Sequence, residues 1–220
     1  MTTPARTAVL QTKPFAWTAG LLLAAIFISV AVLDRPLALF IQQQLGGVTK
    51  LAGGFTTALE WIFAFEVSKY LYAFLLLLAG VVFHVMQKSA ARARYFYFVG
   101  STLLLSRVIS GTLKNVFERV RPKEFMNSRT PADFFVDGGS SFPSGHAAFY
   151  LGLLLPLAIL FPKLRWPLIG FAALASLARV IELDHYLSDI LASAFVAVLL
   201  AFFLAKAFRI QPVTETTPAS

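Results

Sequence analysis

The chain has 220 residues, of which 58% are hydrophobic and only 14% are charged, well below the roughly 25% charged residues of soluble domains. Its mean hydropathy of +0.73 indicates an integral membrane protein and excludes an ordinary soluble domain. The net charge of +8 is not gathered on a soluble face with interleaved aromatic residues, so the pattern also excludes a nucleic-acid-binding protein.

Six apolar segments follow one another along the chain, and each can cross, or nearly cross, a hydrocarbon core of about 30 Å. The first is followed by Asp34-Arg35-Pro36 and by no small-residue cleavage pattern, so we expect a retained span and not a signal peptide. The sequence therefore predicts an all-α, polytopic membrane protein with one six-helix domain at residues 15–208, between cytosolic tails at 1–14 and 209–220. The predicted spans are Phe15–Leu33, Tyr70–Met86, Tyr95–Ile109, His146–Phe161, Pro167–Leu183 and Leu187–Phe208.

The distribution of charged residues predicts the orientation of these spans. If both termini are cytosolic, the cytosolic segments hold nine basic residues and one acidic residue, whereas the rest of the chain holds ten of each. The entire positive excess then lies on one side, as the positive-inside rule requires. We therefore expect Gln87–Arg94 in the cytosol, and Asp34–Lys69, Asn115–Gly145 and Asp184–Ser188 on the opposite side.

Two of the outer segments have different predicted structures. Leu37–Phe65 mixes apolar residues with glutamines and glycine pairs, which favours an amphipathic helix lying in the interface, although Glu60 and Glu66 could instead begin a longer second span. Lys123–Phe142 contains Pro131, a glycine pair and paired serines, and is predicted to be a loop. Loops of this length in compact domains are often functional.

The first polar cluster consists of Lys114, Arg121 and Pro122. On one continuous helix the two cations would share a face about 10 Å apart along the axis. Pro122 would then stop that helix and leave both cations near its outer end. Snorkelling of basic side chains at a membrane boundary explains the two cations equally well when they are taken alone.

The second cluster is Pro143-Ser144-Gly145-His146, directly before a long apolar segment. Ser144 is a good N-cap residue, and Gly145 permits a close approach of a ligand to the backbone. The first free N–H groups of the helix would form an anion site with His146 facing it. Taken alone, the sequence is more typical of a cap than of a catalytic motif.

The third cluster contains Arg179, His185 and Asp189. Four residues separate the last two, so on a helix they would share a face and form a hydrogen bond. The carboxylate would fix the imidazole tautomer and leave one nitrogen with a free lone pair, while Arg179 could bind an oxyanion. A His–Asp pair that stabilises a bend is an alternative, and Glu182 and Asp184 are interpreted as solvated boundary residues with no assigned role.

The three clusters together resemble the signature of the type 2 phosphatidic acid phosphatase superfamily, through Lys114-x6-Arg121-Pro122, Pro143-Ser144-Gly145-His146 and Arg179-x5-His185-x3-Asp189. The match covers residues 114–189, and the six-span layout is similar to the bacterial membrane branch of that family. One position differs, because the family usually has a serine where this chain has Ala178. One possible hydroxyl contact to phosphate is therefore missing.

The resemblance implies a lipid phosphatase whose site faces the periplasm from a bacterial inner membrane. His185 would attack phosphorus with Asp189 orienting it, and His146 would protonate the leaving oxygen and then activate water. No metal or other cofactor is expected, because the phosphoryl oxygens would be held by Lys114, Arg121, Arg179 and the backbone amides of Ser144 and Gly145.

Three alternatives stay open at this stage. A phosphotransferase on the same scaffold would pass the phosphoryl group to a second lipid. An inactive member that only binds lipid is disfavoured because His146, His185 and Asp189 are all present. An anion transporter is disfavoured because the charges cluster at one boundary and do not line a path through the midplane. The expected partners are the bilayer and one of four lipids: phosphatidylglycerol phosphate, undecaprenyl pyrophosphate, lipid A 1-phosphate or phosphatidic acid.

Overall fold

The computed structural model describes residues 12–65, 68–86, 89–127 and 134–213, and within these ranges it is helical with no β-strand. A π-helical turn at Ser29–Leu33 joins the first two helices, and a 3-10 turn at Pro162–Leu164 joins the seventh and eighth. The α-helices are α1 (Thr12–Ile28), α2 (Asp34–Gln44), α3 (Gly46–Ile62), α4 (Leu71–Val85), α5 (Ala90–Phe117), α6 (Pro122–Asn127), α7 (Gly145–Leu160), α8 (Arg165–Ile181) and α9 (Leu187–Ala207).

All six predicted spans fall on helices, namely α1, α4, α5, α7, α8 and α9. The all-α prediction is therefore confirmed for the described residues. Among the described residues, four helical segments are long and apolar enough to cross a membrane. Helices α4 and α7 are apolar but shorter. The count of six spans stays a prediction. The four long segments are Thr12–Gln44, Ala90–Met126, Pro162–Ile181 and Leu187–Ala207.

Helix α7 lies at the centre of the bundle, because it packs against α5, α8 and α9 and buries ten of its 16 residues. Its approach to α5 depends on Gly152, where a Cβ would lie 2.9 Å from the Oγ of Ser106. Phe149 and Tyr150 pack against Phe63, which follows α3. Neighbours on several sides therefore fix the first turn of α7.

The outward faces of the helices carry large apolar side chains. Trp17 on α1, Phe74 on α4, Leu174 on α8 and Phe203 on α9 are each more than half exposed. Exposed apolar surface on this scale is costly in water, and it is the expected surface of a helix that faces lipid.

The first outer segment forms two helices, α2 and α3, where the sequence predicted one amphipathic helix. Helix α3 packs against α8, and Thr56 of α3 donates a hydrogen bond of 2.6 Å to Glu182 at the end of α8. Glu60 lies within α3 and so does not begin the second span. Glu66 lies outside the described residues.

The prediction of one helix from Lys114 to Arg121 is wrong. Helix α5 ends at Phe117, and Glu118 has a left-handed backbone with φ of 39°. The segment that precedes the second cluster explains this end, because Phe135 N–H donates to the Phe117 carbonyl (2.7 Å) and Ser141 N–H donates to the Arg119 carbonyl (2.8 Å). These long-range bonds use carbonyls that a continued helix would need.

Residues 134–142 of the predicted loop are irregular, as expected, but its first residues are helical. Pro122 opens the short helix α6, a position that suits proline because its missing N–H would have no helical partner. Residues 128–133, which include Arg129, Pro131 and Asp133, lie outside the described residues.

Candidate active site

Backbone hydrogen bonds bring the second and third clusters together. Ser144 N–H donates to the Asp189 carbonyl (3.1 Å), and His185 N–H donates to the Arg179 carbonyl (3.1 Å). The first turn of α6 joins the same region, because Lys123 N–H donates to the Leu183 carbonyl (3.1 Å). Residues that are far apart in sequence therefore surround one small volume.

His185 is buried, with 2% of its surface exposed, and it precedes α9 instead of lying on it. The prediction that it shares a helix face with Asp189 is therefore wrong. Its Nδ1 lies 2.8 Å from the Ser141 carbonyl and 3.5 Å from Asp189 Oδ2. Because a carbonyl only accepts, Nδ1 carries the proton and the lone pair is on Nε2.

Burial also determines the charge of this imidazole. Removal from water lowers the pKa of His185, and the hydrogen bond and negative charge of Asp189 only partly oppose that effect. The ring is therefore neutral at pH 7, with a lone pair on Nε2, as a nitrogen nucleophile requires.

Asp189 is fully buried in the first turn of α9 and accepts hydrogen bonds from several donors. Its Oδ2 accepts from the hydroxyl of Ser141 (2.5 Å) and from the backbone N–H of Tyr186 (2.8 Å). Its Oδ1 forms an ion pair of 2.7 Å with Arg119. This carboxylate is therefore ionised and held rigidly, since each of its oxygens has a strong donor.

Arg119 is a site residue that the sequence analysis missed. Its guanidinium bridges Asp189 and Asp34, with a distance of 2.9 Å to the latter, and both side chains are almost fully buried. The rings of Phe134 and Tyr186 cover it, with centroids 4.5 and 4.0 Å from the guanidinium carbon. Ser188 donates to Asp34 with its hydroxyl (2.5 Å) and its backbone N–H (3.1 Å). A closed polar network thus connects the start of α2 to Asp189.

The prediction that Ser144 caps the next helix is confirmed. Helix α7 begins at Gly145, and the Ser144 hydroxyl accepts a hydrogen bond of 3.3 Å from Ala147 N–H. His146 therefore lies in the first turn, where its Nε2 is 2.9 Å from Oε1 of Glu60. Its ring stacks on Phe65 with centroids 4.8 Å apart.

Gly145 has a second neighbour that the sequence analysis missed. Arg107 of α5 donates to the Gly145 carbonyl, and a Cβ on Gly145 would lie 2.8 Å from its Nη1. Because Arg107 lies within the predicted span Tyr95–Ile109, only the helix packing reveals that its guanidinium reaches the start of α7. A cation of the site therefore lies directly against Gly145, and a side chain at this position would have to displace the end of Arg107.

Lys114 and Arg121 converge although they are not on one helix. Lys114 Nζ donates to the Ser140 carbonyl, and Arg121 Nε donates to the Ser140 hydroxyl (3.3 Å). Neither serine of the pair Ser140-Ser141 was assigned a role from sequence, although the pair stood out in the predicted loop. Ser140 contacts two predicted phosphate-binding cations, and Ser141 contacts the predicted nucleophile and its carboxylate.

Arg179 is surrounded by carboxylates. Its Nη1 lies 2.6 Å from Glu182 and 3.2 Å from Glu60, and its Nη2 donates to Asp184. The interpretation of Glu182 and Asp184 as solvated residues is therefore wrong, since Asp184 is only 9% exposed and also forms an ion pair with Lys123.

The two carboxylates respond differently to this environment. Burial raises the pKa of Glu182, and the charge of Arg179 offsets only part of that effect. Burial acts in the same direction on Asp184, but the hydrogen bond from Lys123 and the charges of Arg179 and Arg121 outweigh it, so the pKa of Asp184 is lowered. Asp184 is therefore more readily ionised than Glu182.

The arrangement combines a neutral, buried imidazole with a second imidazole and several cations. Such a set can bind an oxyanion, attack it with a nitrogen lone pair and exchange a proton with a leaving group. The described residues include no group of three or more His, Asp and Glu side chains placed to hold a metal ion. Independence of metals and other cofactors stays a prediction.

Comparison with known proteins identifies the class to which this fold and site belong. The model of the PAP2 superfamily matches residues 95–211, more than half of the chain, and the protein belongs to this superfamily. A lipid A 1-phosphatase of Rhizobium johnstonii is 29% identical to this chain, over 90% of this chain and 86% of its own length. A lipid A 1-phosphatase of Rhizobium etli is 34% identical over 48% of each chain. The undecaprenyl-diphosphatase BcrC of Bacillus subtilis is 28% identical over 50% of this chain and 55% of its own.

A solved structure has the same fold. It is a transmembrane PAP2-type phosphatidylglycerolphosphate phosphatase from Bacillus subtilis, with a TM-score of 0.52 and 20% identity over 89% of this chain and 94% of that one. Together these comparisons confirm the resemblance to the phosphatidic acid phosphatase superfamily and the expected enzyme class, a lipid phosphate hydrolase of the membrane.

Proposed function

We propose that this protein removes a phosphate from a membrane lipid, as a monoester or a pyrophosphate, through a phosphohistidine intermediate on His185. The observation that carries the proposal is a buried, neutral His185 whose Nδ1 faces the Ser141 carbonyl and whose ring is acted on by the charges of two cations from distant clusters, Lys114 and Arg179. A neutral imidazole with one lone pair is a nucleophile, and nearby cations stabilise the charge that develops on the phosphoryl oxygens.

The remaining predicted residues have complementary roles. Asp189 holds the position of His185 and stabilises the positive charge that forms on the ring after attack. His146 gives a proton to the leaving oxygen and later takes one from water. The phosphoryl oxygens are held by Lys114, Arg121, Arg179 and the backbone amides of Ser144 and Gly145.

The reaction takes place at the periplasmic face of a bacterial inner membrane. The charge distribution supports this orientation, because the positive excess lies entirely in the segments assigned to the cytosol. The site residues lie at helix ends on the opposite side, where a lipid headgroup is concentrated and a path across the bilayer is not needed.

A lipid A 1-phosphate is the first candidate substrate, because the relative of that name from Rhizobium johnstonii is similar over 90% of this chain. Undecaprenyl pyrophosphate, phosphatidylglycerol phosphate and phosphatidic acid are the competitors. Purified protein offered each of the four lipids separately should release phosphate fastest from the first. Release from none of them would contradict the proposed function.

Two further measurements test the mechanism. His185→Asn should reduce turnover by at least the roughly 10²–10⁴-fold of acid–base catalysis. In His146→Ala, a radiolabelled activated substrate, whose leaving group needs no proton, should leave phosphate trapped on His185 as an acid-labile, base-stable adduct. EDTA should leave the wild-type rate intact. Full activity of His185→Asn, or EDTA inhibition reversed by a divalent metal, argues against the mechanism, and a requirement for a second lipid identifies a phosphotransferase.

A further inference from the structure

Glu60 of α3 reaches into the site although it belongs to none of the three clusters. Its Oε1 lies 2.9 Å from His146 Nε2 and 3.2 Å from Arg179 Nη1. One carboxylate thus contacts both the predicted general acid and a predicted phosphate-binding cation. The side chain is 32% exposed, so it lies at the open side of the site and not in the core.

Two contacts, one on each side of Glu60 in the sequence, hold this part of the chain against the site. Thr56, one helical turn before Glu60 and on the same face of α3, donates a hydrogen bond of 2.6 Å to Glu182 at the end of α8. After the end of α3, Phe65 stacks on the ring of His146. Helix α3 is therefore attached to the site on both sides of Glu60, and the carboxylate is not a freely rotating surface group.

The other charges around His146 explain what this carboxylate contributes. Burial acts most strongly against a positive charge on the ring, followed by the charges of Arg179 of α8, His185 before α9 and Arg107 of α5, whereas Asp184 acts in its favour. A general acid must nevertheless carry a proton before the leaving group departs. A carboxylate within hydrogen-bond distance of one ring nitrogen stabilises the protonated form and fixes the ring orientation.

We propose that Glu60 is a positioning residue for His146, an inference that rests on the proposed function. Glu60 holds the N–H on Nε2, and the proton on Nδ1 is the one transferred. As His185 forms its bond to phosphorus and the bond to the leaving oxygen breaks, that proton moves to the leaving oxygen. In the second step water gives a proton back to His146 as the bond to His185 breaks, and Glu60 stays ionised throughout.

The test compares two substrates whose leaving groups differ in their need for a proton. Each variant is purified as the full-length protein and compared with wild type on two substrates, a lipid phosphate and p-nitrophenyl phosphate, whose leaving group needs no proton. The variants are Glu60→Gln, Glu60→Asp, Glu182→Gln and His146→Ala. The comparison uses kcat/KM, which reports only on the steps up to formation of the phosphohistidine and not on the later attack of water. Glu60→Gln should lose at least about tenfold in kcat/KM on the lipid and stay within about threefold of wild type on the aryl phosphate. His146→Ala should show the same pattern with a larger loss, and Glu60→Asp should recover part of the lipid activity.

Glu182→Gln is the matched control, because Glu182 also pairs with Arg179, whereas among the described residues it is Glu60 that pairs with His146. Any loss in this variant should be similar on the two substrates, since both carry the phosphate that Arg179 binds. A selective loss of the lipid reaction in Glu60→Gln but not in Glu182→Gln assigns the effect to His146.

Two outcomes overturn the inference. An equal loss on both substrates in Glu60→Gln means that Glu60 acts through Arg179 or through folding, and no loss on the lipid means that His146 does not need it. Either result leaves the proposed function intact if His146→Ala is selective and His185→Asn is inactive. A fully active His185→Asn contradicts the proposed function whatever Glu60 does.

Discussion

Arg119 is the buried cation between two buried carboxylates, Asp34 and Asp189. Removing one partner of such a group leaves charges without compensation, which costs about 3–5 kcal/mol. We therefore expect Arg119→Met to lower the thermal unfolding midpoint of the purified protein strongly. Adding Asp34→Asn to that variant should restore part of the stability, because it removes one of the two unpaired charges. Equal midpoints for Arg119→Met and wild type would contradict a structural role for this network.

The pKa of His185 predicts a pH dependence. Its neutral form is the nucleophile, and burial lowers its pKa from the ordinary value of 6.5. The neutral form therefore persists below pH 6.5, and the acid limb of kcat/KM that belongs to this group should lie below that value. The measurement uses His146→Ala with p-nitrophenyl phosphate, so that the second imidazole does not titrate. An acid limb at or above pH 6.5 would contradict the prediction.

At the scale of elements, the segment 134–143 forms the wall of the site because it pairs with the chain just after α5. Gly139 permits this pairing, since a Cβ there would lie 2.1 Å from the Glu118 carbonyl oxygen. Gly139→Ala should therefore displace Ser140 and Ser141 and reduce both stability and kcat on the lipid.

Gly111→Ala is the matched control for this substitution. Gly111 lies within α5 and has open space around its Cβ position. Replacing it with alanine should leave activity unchanged and stabilise the helix by about 0.5–1 kcal/mol. Similar losses in the two variants would mean that close packing at Gly139 is not the cause.

The elements also explain which parts of the site are predictable from sequence. The cap at Ser144 follows from local signals, a small polar residue before an apolar helix, and it was predicted. The end of α5 at Phe117 depends on hydrogen bonds to residues 18 to 22 positions later, and no local pattern reports it. Arg107 and Glu60 were missed for the same reason, because each enters the site only through the packing of its helix against a distant one.

At the scale of the whole molecule, composition and charge predict more than any single element does. The apolar segments gave the all-α class and the positions of six helices, since periodic burial is not needed to recognise a lipid-facing helix. They do not fix how many helices cross, because α4 and α7, with 15 and 16 residues, are shorter than the roughly 20 residues of a full span. If α4 and α7 do cross, side chains near their ends and the neighbouring helices would have to complete the two crossings.

The orientation of the molecule is tested by cysteine labelling, which the absence of native cysteine makes simple. Ser128→Cys, in the outer segment, should react with a membrane-impermeant maleimide added to intact cells or right-side-out vesicles. Lys163→Cys, between α7 and α8, should react only after the membrane is permeabilised, because its segment belongs to the positively charged cytosolic side. Each variant is the control for the other, since each carries one cysteine and the two positions are predicted to lie on opposite sides of the membrane. Labelling of Lys163→Cys from outside, with protection of Ser128→Cys, would reverse the topology and place the site in the cytosol.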